Sequence, residues 1–248
     1  MTADSRNGFV LSSEGGRILR WKVDGKDILY PDGIIEAQEE RKRRGGMFWC
    51  FPNFGKAPEP YLFPQHGPLR DLVGELSTNA LKIREEVSFE GRPVLGKNSR
   101  RNLLVHVSAW QEGPRRLSYE LTVRVPQTKS LRGIPFNPGV HPYFSTPHGE
   151  VTVRVYGVSY TIRAREFQDA LPFNGRAEII IPGIGTIDMH VSSSMVPTGS
   201  QLVLWRDDRR YLCVEPVLGP PQNFAVPGEG KFLRAGELFS GSIELRLR

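Results

Sequence analysis

The sequence predicts an all-β protein, built as an antiparallel sandwich or barrel. Short segments rich in β-branched and aromatic residues recur along its 248 residues, and several, such as LTVRV and IELRL, alternate apolar with polar residues. That alternation is typical of strands with one buried face. Turn signals such as VDG, PFNG, PGIG and PGEG separate the segments at antiparallel spacing, and helix signals are few.

The predicted strands follow one another along the whole chain. Residues 9–31, FVLSSEGGRILRWKVDGKDILYP, are interpreted as two strands joined at the VDG turn. Strand-like composition recurs at residues 103–110, 117–125, 151–158, 177–181, 186–191, 201–207 and 241–248. No repeat of roughly 20–50 residues and no compositional shift divides the chain, so residues 1–248 are expected to form a single domain.

Composition indicates a globular protein outside the membrane and disordered classes. Hydrophobic residues make up 39% of the chain and charged residues 24%. No apolar run approaches the roughly 20 residues of a membrane span, and the segment MTADSRNGFV has no apolar signal core. We therefore expect a cytoplasmic protein with no membrane partner. Cys50 and Cys213 lie in the apolar runs MFWCF and YLCVEPV, which predicts buried, reduced thiols.

The net charge of +6 raises the question of nucleic-acid binding. Arginines are spread along the chain, and only RKRR at 41–44 forms a tight basic run. No helix-turn-helix, zinc-finger or RNA-binding signature accompanies that run. The charge instead favours attraction of a small phosphorylated or acidic ligand, and no nucleic-acid partner is expected.

The five histidines fall into two groups by their neighbours. His106 and His190 lie within alternating strands and are interpreted as structural, and His148 in TPHGE is expected in an exposed turn. His66 and His141 each stand at a loop edge beside glycine, proline and aromatic residues. Such neighbours hold a side chain in one orientation, so these two are candidate proton donors, with a purely structural role as the alternative.

Residues 45–70, GGMFWCFPNFGKAPEPYLFPQHGPLR, concentrate aromatic residues and prolines in one stretch. Aromatic walls joined by rigid turns are suited to presenting a few polar groups to a small polar ligand. The candidate groups here are Gln65, His66 and Arg70. The alternative is a proline-rich connection that only packs over the core.

Glu215 is the acidic residue whose position stands out. It follows the apolar run of YLCVEP, and Pro216 is expected to end that strand. Partial burial would raise the pKa of this carboxyl toward the range of a general base, while an ion pair with an arginine is the structural alternative. No HxxxH, HExxH or CxxC pattern predicts a metal, and P-loop, GxGxxG and GxSxG signatures are also absent from the sequence.

Four motifs, in order, resemble the aldose 1-epimerase or galactose mutarotase-like superfamily, and most closely its hexose-6-phosphate 1-epimerase branch. They are RGGMFWCFPNFG at 44–55, QHGPLR at 65–70, NPGVHPYF at 137–144 and LCVEP at 212–216. The resemblance implies a large antiparallel β-sandwich whose concave face holds a sugar. It also implies an enzyme that needs no metal or cofactor, with a sugar or sugar phosphate as its small-molecule partner; we expect a monomer or weak dimer.

The resemblance assigns roles residue by residue. His141 matches the family's general acid and Glu215 its general base, which together open and reclose the sugar ring. His66 matches the histidine that holds the sugar near its ring oxygen. Arg44 and Arg70 match the arginines that bind phosphate or an equivalent anion. Gln65 is expected to bind a sugar hydroxyl.

Two departures from the family pattern keep other functions open. HGPLR stands where the branch has HGFAR, and the family's sugar-binding aspartate in a Y-x-D pattern has no counterpart, with Asp169 the nearest substitute. One alternative function is therefore a carbohydrate-binding protein that has lost turnover on the same scaffold. Another is a basic-surface protein that binds nucleic acid or another polyanion.

Overall fold

The computed structural model describes residues 6–37, 40–57, 63–79, 84–89, 103–127, 133–220 and 232–248. Nearly all regular structure in these ranges is β-strand. Helix is limited there to two single-turn 3-10 helices, Leu69–Asp71 and Ser193–Met195. Across the same residues, no helix is both long and apolar enough to cross a membrane.

The strands, numbered in chain order, form two large sheets in which every named pair is antiparallel. The first sheet has eight strands in the spatial order β1 (Gly8–Leu11), β2 (Ile18–Val23), β6 (Met47–Cys50), β12 (Gly139–Ser145), β19 (Tyr211–Val217), β18 (Gln201–Arg206) and β15 (Phe167–Pro172), with β3 (Lys26–Asp27) beside β2.

The second sheet has nine strands. Their order is β14 (Val158–Ile162), β13 (Val151–Val155), β16 (Arg176–Ile181), β17 (Gly185–Val191), β21 (Leu238–Leu247), β10 (Arg116–Arg124), β9 (Leu104–Gln111), β8 (Arg84–Ser88) and β7 (Glu75–Asn79). Two ribbons complete the fold: β4 (Gly33–Ala37) with β5 (Glu40–Arg44), and β11 (Ile134–Pro135) with β20 (Phe232–Leu233).

The main core lies between the two sheets. The alternating apolar side chains of both sheets form one continuous buried cluster. Trp49 of the first sheet contacts Tyr119 of the second, with ring centroids 5.8 Å apart, and the Tyr119 hydroxyl donates a hydrogen bond to the Gly16 carbonyl. Two antiparallel sheets that share one core are a β-sandwich, which confirms the predicted fold class.

Two predicted strands are broken by turns. In residues 9–31, the VDG turn joins β2 to the short β3, but the SSEGG segment separates β1 from β2, so the two-strand prediction is wrong. Gly15 and Gly16 have φ of 65° and 59° there, a conformation that interrupts a strand. The predicted strand at 151–158 also divides, because Tyr156 and Gly157 form a turn between β13 and β14.

The two cysteines and the three histidines outside the candidate site lie where the sequence predicts. Cys50 and Cys213 are both buried and free. His106 lies on β9 and His190 on β17, both within strands as expected. His148 is exposed in the turn that precedes β13.

Candidate active site

Strand alternation places the candidate residues on the outer face of the eight-stranded sheet. Along β12, Val140 and Phe144 point into the main core, while His141 and Tyr143 point away from it. Along β19, Glu215 likewise faces away from the core. This outer face is not open to water, since a second buried cluster forms on it. That cluster, here called the site cluster, comprises Phe48, Cys50, Phe54, Tyr143, Val203, Tyr211, Cys213 and Val217.

The register between β12 and β19 sets His141 directly opposite Glu215. The ladder pairs Gly139 with Val217 and then Tyr143 with Cys213. His141 is midway between Gly139 and Tyr143, and Glu215 is midway between Cys213 and Val217, so these two residues lie opposite each other. Directly opposed side chains on one face of a sheet are neighbours. His141 Nε2 accordingly lies 3.5 Å from Glu215 Oε2, and the two side chains are 5% and 2% exposed.

The prediction that Pro216 ends the strand is wrong. β19 continues through Pro216 to Val217, and Pro216 pairs in register with Leu202 on β18. Proline has no N–H to donate, so it fits a strand where the ladder is interrupted. The ladder toward β12 is interrupted there, between the pairs Gly139–Val217 and Tyr143–Cys213, and Val140 lies opposite Pro216 within that gap.

His66 reaches the same place from a tight turn. Its backbone has φ of 64°, a left-handed conformation that few residues other than glycine adopt. Two contacts with Gly55 hold it there: the His66 N–H donates to the Gly55 carbonyl at 2.8 Å, and the Gly55 N–H donates to His66 Nδ1 at 3.3 Å. The next residue, Gly67, must lack a side chain, because a Cβ would lie 2.0 Å from the Phe51 carbonyl oxygen. The His66 and His141 ring centroids are 5.1 Å apart.

The hydrogen bond from Gly55 fixes the tautomer of His66. Because Nδ1 accepts a proton, the neutral ring carries its hydrogen on Nε2. Burial, followed by the positive charges of Arg70 and Arg44, lowers the pKa of His66 to about 3. His66 is therefore a neutral hydrogen-bond donor through Nε2. The side-chain amide of Gln65 lies beside that atom, at 3.3 Å, and accepts from Nε2–H through its oxygen when the amide is turned that way; Gln65 itself is exposed.

Burial shifts both members of the His141–Glu215 pair toward their uncharged forms. It raises the pKa of Glu215 well above its ordinary value. Burial also lowers the pKa of His141 well below its ordinary value, with His66 and nearby arginines adding to the shift. Within the described residues His141 Nδ1 has no hydrogen-bond partner. The pair thus holds one proton in a nearly water-free position, which is suited to donating and accepting protons.

Aromatic rings pack around His141. The Phe48 and Tyr143 rings stack on it with centroid distances of 4.9 and 4.7 Å, and Trp205 approaches edge-on at 6.2 Å. Ile35 on β4 packs against the same cluster, so the β4–β5 ribbon helps to cover it. Apolar walls with a few convergent polar groups are the usual lining of a small-molecule site.

Two of the arginines near the site are held by buried carboxylates. Arg44 pairs with Asp207 at 2.7 Å, and Asp207 also accepts a hydrogen bond from the Tyr211 hydroxyl. Arg17 pairs with Asp32 at 3.0 Å.

Arg70 differs from both, because its ion pair is with the exposed Asp71 at 3.5 Å. Its guanidinium carbon lies 5.9 Å from the centre of the Phe48 ring. Of the three arginines, Arg70 has the weakest carboxylate partner and is the most available to an anionic ligand.

Comparison with solved structures gives fold relatives that cover nearly the whole chain. Slr1438 from Synechocystis sp. PCC 6803 is 21% identical, with a TM-score of 0.77 over 98% of this chain and 93% of that one. A galactose mutarotase-like protein from Lactobacillus casei ATCC 334 is 16% identical, with a TM-score of 0.73 over 99% and 98%. Galactose 1-epimerase from Lactobacillus acidophilus NCFM is 13% identical, with a TM-score of 0.71 over 99% and 92%.

This chain has the galactose mutarotase-like fold. At these identities the likeness concerns the fold, and it does not single out a hexose-6-phosphate branch. No protein-family model matches the sequence, and no curated protein is detectably similar to it.

On this galactose mutarotase-like sheet, Asp169 lies away from the candidate site. It pairs in register with Leu204, whose side chain belongs to the main core, so Asp169 is on the opposite side of the sheet from His141. Its carboxylate accepts a hydrogen bond from the Ala170 N–H at 2.8 Å. Asp169 therefore does not line the candidate site.

Sequence reasoning missed several residues that surround the site. They are Arg17, Asp32, Tyr143, Trp205 and Asp207. The alternation in QLVLWRD could have placed Trp205 on the same face as Val203. Arg17 and Asp32 lie in irregular segments with no local signal, and their contribution depends on how distant segments of the chain meet.

Proposed function

We propose that the protein is an aldose 1-epimerase, or mutarotase, that interconverts the α and β anomers of a hexose or hexose 6-phosphate. The observation that carries this proposal is the buried His141–Glu215 pair, with its two polar atoms 3.5 Å apart and His66 beside it. Ring opening of a cyclic sugar needs one group to take a proton and another to give one. Two positioned titratable groups on one face of a sheet meet that need.

In the proposed reaction, Glu215 takes the proton from the anomeric hydroxyl while His141 protonates the ring oxygen. The C1–O5 bond breaks and its electron pair stays on O5, while O1 becomes the oxygen of the free aldehyde. Rotation about C1–C2 exposes the other face of the carbonyl. Reclosure with the two roles reversed gives the other anomer and restores both protons. Each positioned group is expected to contribute about 10²–10⁴-fold.

The preference of the pair for its uncharged form is compatible with these roles. One proton is shared by Glu215 and His141, and moving it from the carboxyl to the imidazole creates the carboxylate base and the imidazolium acid together. Sugar hydroxyls that donate to the carboxylate would offset the cost of that charged form. His66, a neutral donor through Nε2, is proposed to bind the sugar near its ring oxygen.

The proposed substrate range follows from the charges beside the site. Arg44 and Arg70 are proposed to bind an anionic substituent such as a 6-phosphate, with Arg70 as the principal contact because Arg44 is already paired with Asp207. Gln65, exposed beside His66, is proposed to bind a hydroxyl.

The test is anomer exchange measured by NMR on glucose 6-phosphate, glucose and galactose, with and without the protein. We expect exchange faster than the buffer-catalysed rate for at least one of these sugars. Binding of a sugar without faster exchange would support the alternative function, a carbohydrate-binding protein. That alternative is favoured by the position of Asp169, which leaves the site without the family's usual aspartate.

A further inference from the structure

Three buried side chains on the site face bring metal-binding atoms together. The ligand atoms of His141, Cys213 and Glu215 all lie within 4.8 Å of one another. Cys213 is the neighbour of Glu215 two residues back on β19, and it stands opposite Tyr143 on β12. His141 is thus flanked by Glu215 directly across the ladder and by Cys213 diagonally. No spacing motif could predict this group, because its members come from two strands about seventy residues apart.

The separations fit a four-coordinate ion. Two ligand atoms bonded to tetrahedral Zn²⁺ at about 2.0–2.1 Å are about 3.4 Å apart. The observed distance between His141 Nε2 and Glu215 Oε2 is 3.5 Å, longer than a good hydrogen bond between these groups. The thiol sulfur lies within 4.8 Å of the imidazole nitrogen and the carboxylate oxygen, whereas about 3.6 Å is expected when all three bond the same ion.

The chemistry of the three atoms selects a thiophilic divalent cation. A thiolate, an imidazole and a carboxylate are all ligands that Zn²⁺ accepts, whereas Mg²⁺ and Ca²⁺ prefer oxygen alone. Ionised Cys213 and Glu215 would balance both positive charges of the ion. Arg44 is paired with Asp207, and Arg17 shares Asp32 with Arg43, so these positive charges are partly offset. The positive charge of Arg70, which pairs only with the exposed Asp71, is one that the two anionic ligands must outweigh.

We propose that His141, Cys213 and Glu215 form a Zn²⁺ site that inhibits the enzyme. An ion bound there occupies the lone pair of His141 and the carboxylate of Glu215, so neither group can exchange protons with a sugar. The inhibition rests on the proposed epimerase function, whereas the metal site itself does not.

The chain offers a matched control for the site. It has two cysteines, both buried on the same face, and Cys50 opposite Gly139 is also diagonal to His141. Cys50 lies on β6, however, on the far side of β12 from Glu215, and it is not one of the three clustered ligands. The Cys50→Ser and Cys213→Ser variants remove the same atom from similar surroundings.

The experiment is titration of the full chain with Co²⁺ as a spectroscopic probe, followed by displacement with Zn²⁺. We expect one equivalent of Co²⁺ to give tetrahedral visible bands and a near-ultraviolet thiolate-to-cobalt band, both lost on adding Zn²⁺. Cys50→Ser should keep the thiolate band and Cys213→Ser should lose it. Zn²⁺ affinity of Cys213→Ser, measured against a chromophoric chelator, should fall by at least the roughly 100-fold that loss of a supporting residue alone can cost.

The outcomes separate the two proposals. Absence of the thiolate band in the native protein, or its persistence in Cys213→Ser, overturns the metal site whatever the protein catalyses. Glu215→Gln serves as a second ligand variant if Cys213→Ser fails to fold, and unchanged Zn²⁺ affinity in it is equally contradictory. If Zn²⁺ binds as expected but leaves a measured anomer exchange unaffected, the inhibitory role is wrong. If the native protein does not accelerate anomer exchange, the proposed epimerase function is wrong and the proposed metal site is unaffected.

Discussion

The two sheets each carry a histidine–glutamate pair on their outer face, and the two pairs differ in their surroundings. On the nine-stranded sheet, His106 Nδ1 lies 2.9 Å from Glu86 Oε1, and the side chains are 30% and 39% exposed. On the eight-stranded sheet, His141 and Glu215 are 3.5 Å apart and only 5% and 2% exposed. Both pairs join adjacent antiparallel strands, so neither residue type nor strand context distinguishes them.

The difference shows that enclosure distinguishes a candidate site from a surface ion pair. Water screens the His106–Glu86 pair, so the pair contributes little to stability. Around His141 and Glu215, aromatic rings exclude water, and each charged form is costly. Where burial makes the charged forms costly, the residue that carries the single proton determines whether the pair is charged. A bound substrate can change which residue carries that proton.

The largest effect expected from this comparison is that of removing the proposed acid. His141→Gln should slow anomer exchange by about 10²–10⁴-fold, because the amide keeps a polar group in place but cannot protonate the ring oxygen. His106→Gln, the same change on the other sheet, should leave exchange unaffected. Rates are measured by NMR on the sugar with the fastest native exchange. Equal losses in the two variants would mean that the buried pair has no special role.

Arg70 gives the next largest effect, and only for a charged substrate. Arg70→Ala should raise the KM for a hexose 6-phosphate by about 10- to 100-fold, since a charge-assisted hydrogen bond is lost. The KM for the unphosphorylated hexose should change by much less. Steady-state kinetics on glucose 6-phosphate and glucose make the comparison. A similar loss for both sugars would assign Arg70 a structural role.

The buried pair should also make the reaction insensitive to mild acid. Burial lowers the pKa of His141 well below its ordinary 6.5 and raises that of Glu215 well above its ordinary 4.5, so neither group titrates near its ordinary pKa. The pair keeps its single proton between those values. We expect exchange in the presence of a chelator to vary by less than about threefold between about pH 5 and about pH 7. A sigmoidal loss centred near 6.5 would indicate an ordinary, solvated histidine.

The smallest effect belongs to the partly exposed His106–Glu86 pair. Glu86→Gln should change the free energy of unfolding by less than about 1 kcal/mol, because its partner remains solvated. Urea titration at neutral pH measures the change, with the native protein as reference. A loss of several kcal/mol would show that this pair, too, is effectively buried.

Much of the fold could be predicted because strands have a local signature. The two-residue alternation in segments such as LTVRV marks both a strand and its buried face, and β10 and β21 follow it closely. Breaks within strands were harder to predict than the strands themselves. Gly15 and Gly16, for example, interrupt the first predicted strand because both have positive φ. Nor did the sequence indicate that β19 continues past Pro216, which depends on the interrupted ladder with β12.

The candidate site was predictable only in part, because its geometry depends on register. His66, His141 and Glu215 could be singled out by their neighbours and by family resemblance, but 74 residues separate the last two. Only the pairing of Gly139 with Val217 sets them opposite each other. The same strand register makes Cys213 a neighbour of His141. Asp207 contacts Arg44 although the two residues are 163 positions apart in the sequence.

The central claim is that the buried Glu215 carboxyl transfers protons, and the most direct measurement is anomer exchange in Glu215→Gln beside the native protein. The amide keeps the shape of the carboxyl and can still hydrogen-bond, but it cannot take the anomeric proton. Exchange at a single saturating sugar concentration should fall by at least about 100-fold, while sugar binding measured by calorimetry stays within about threefold of native. Native-like exchange in Glu215→Gln would contradict the account.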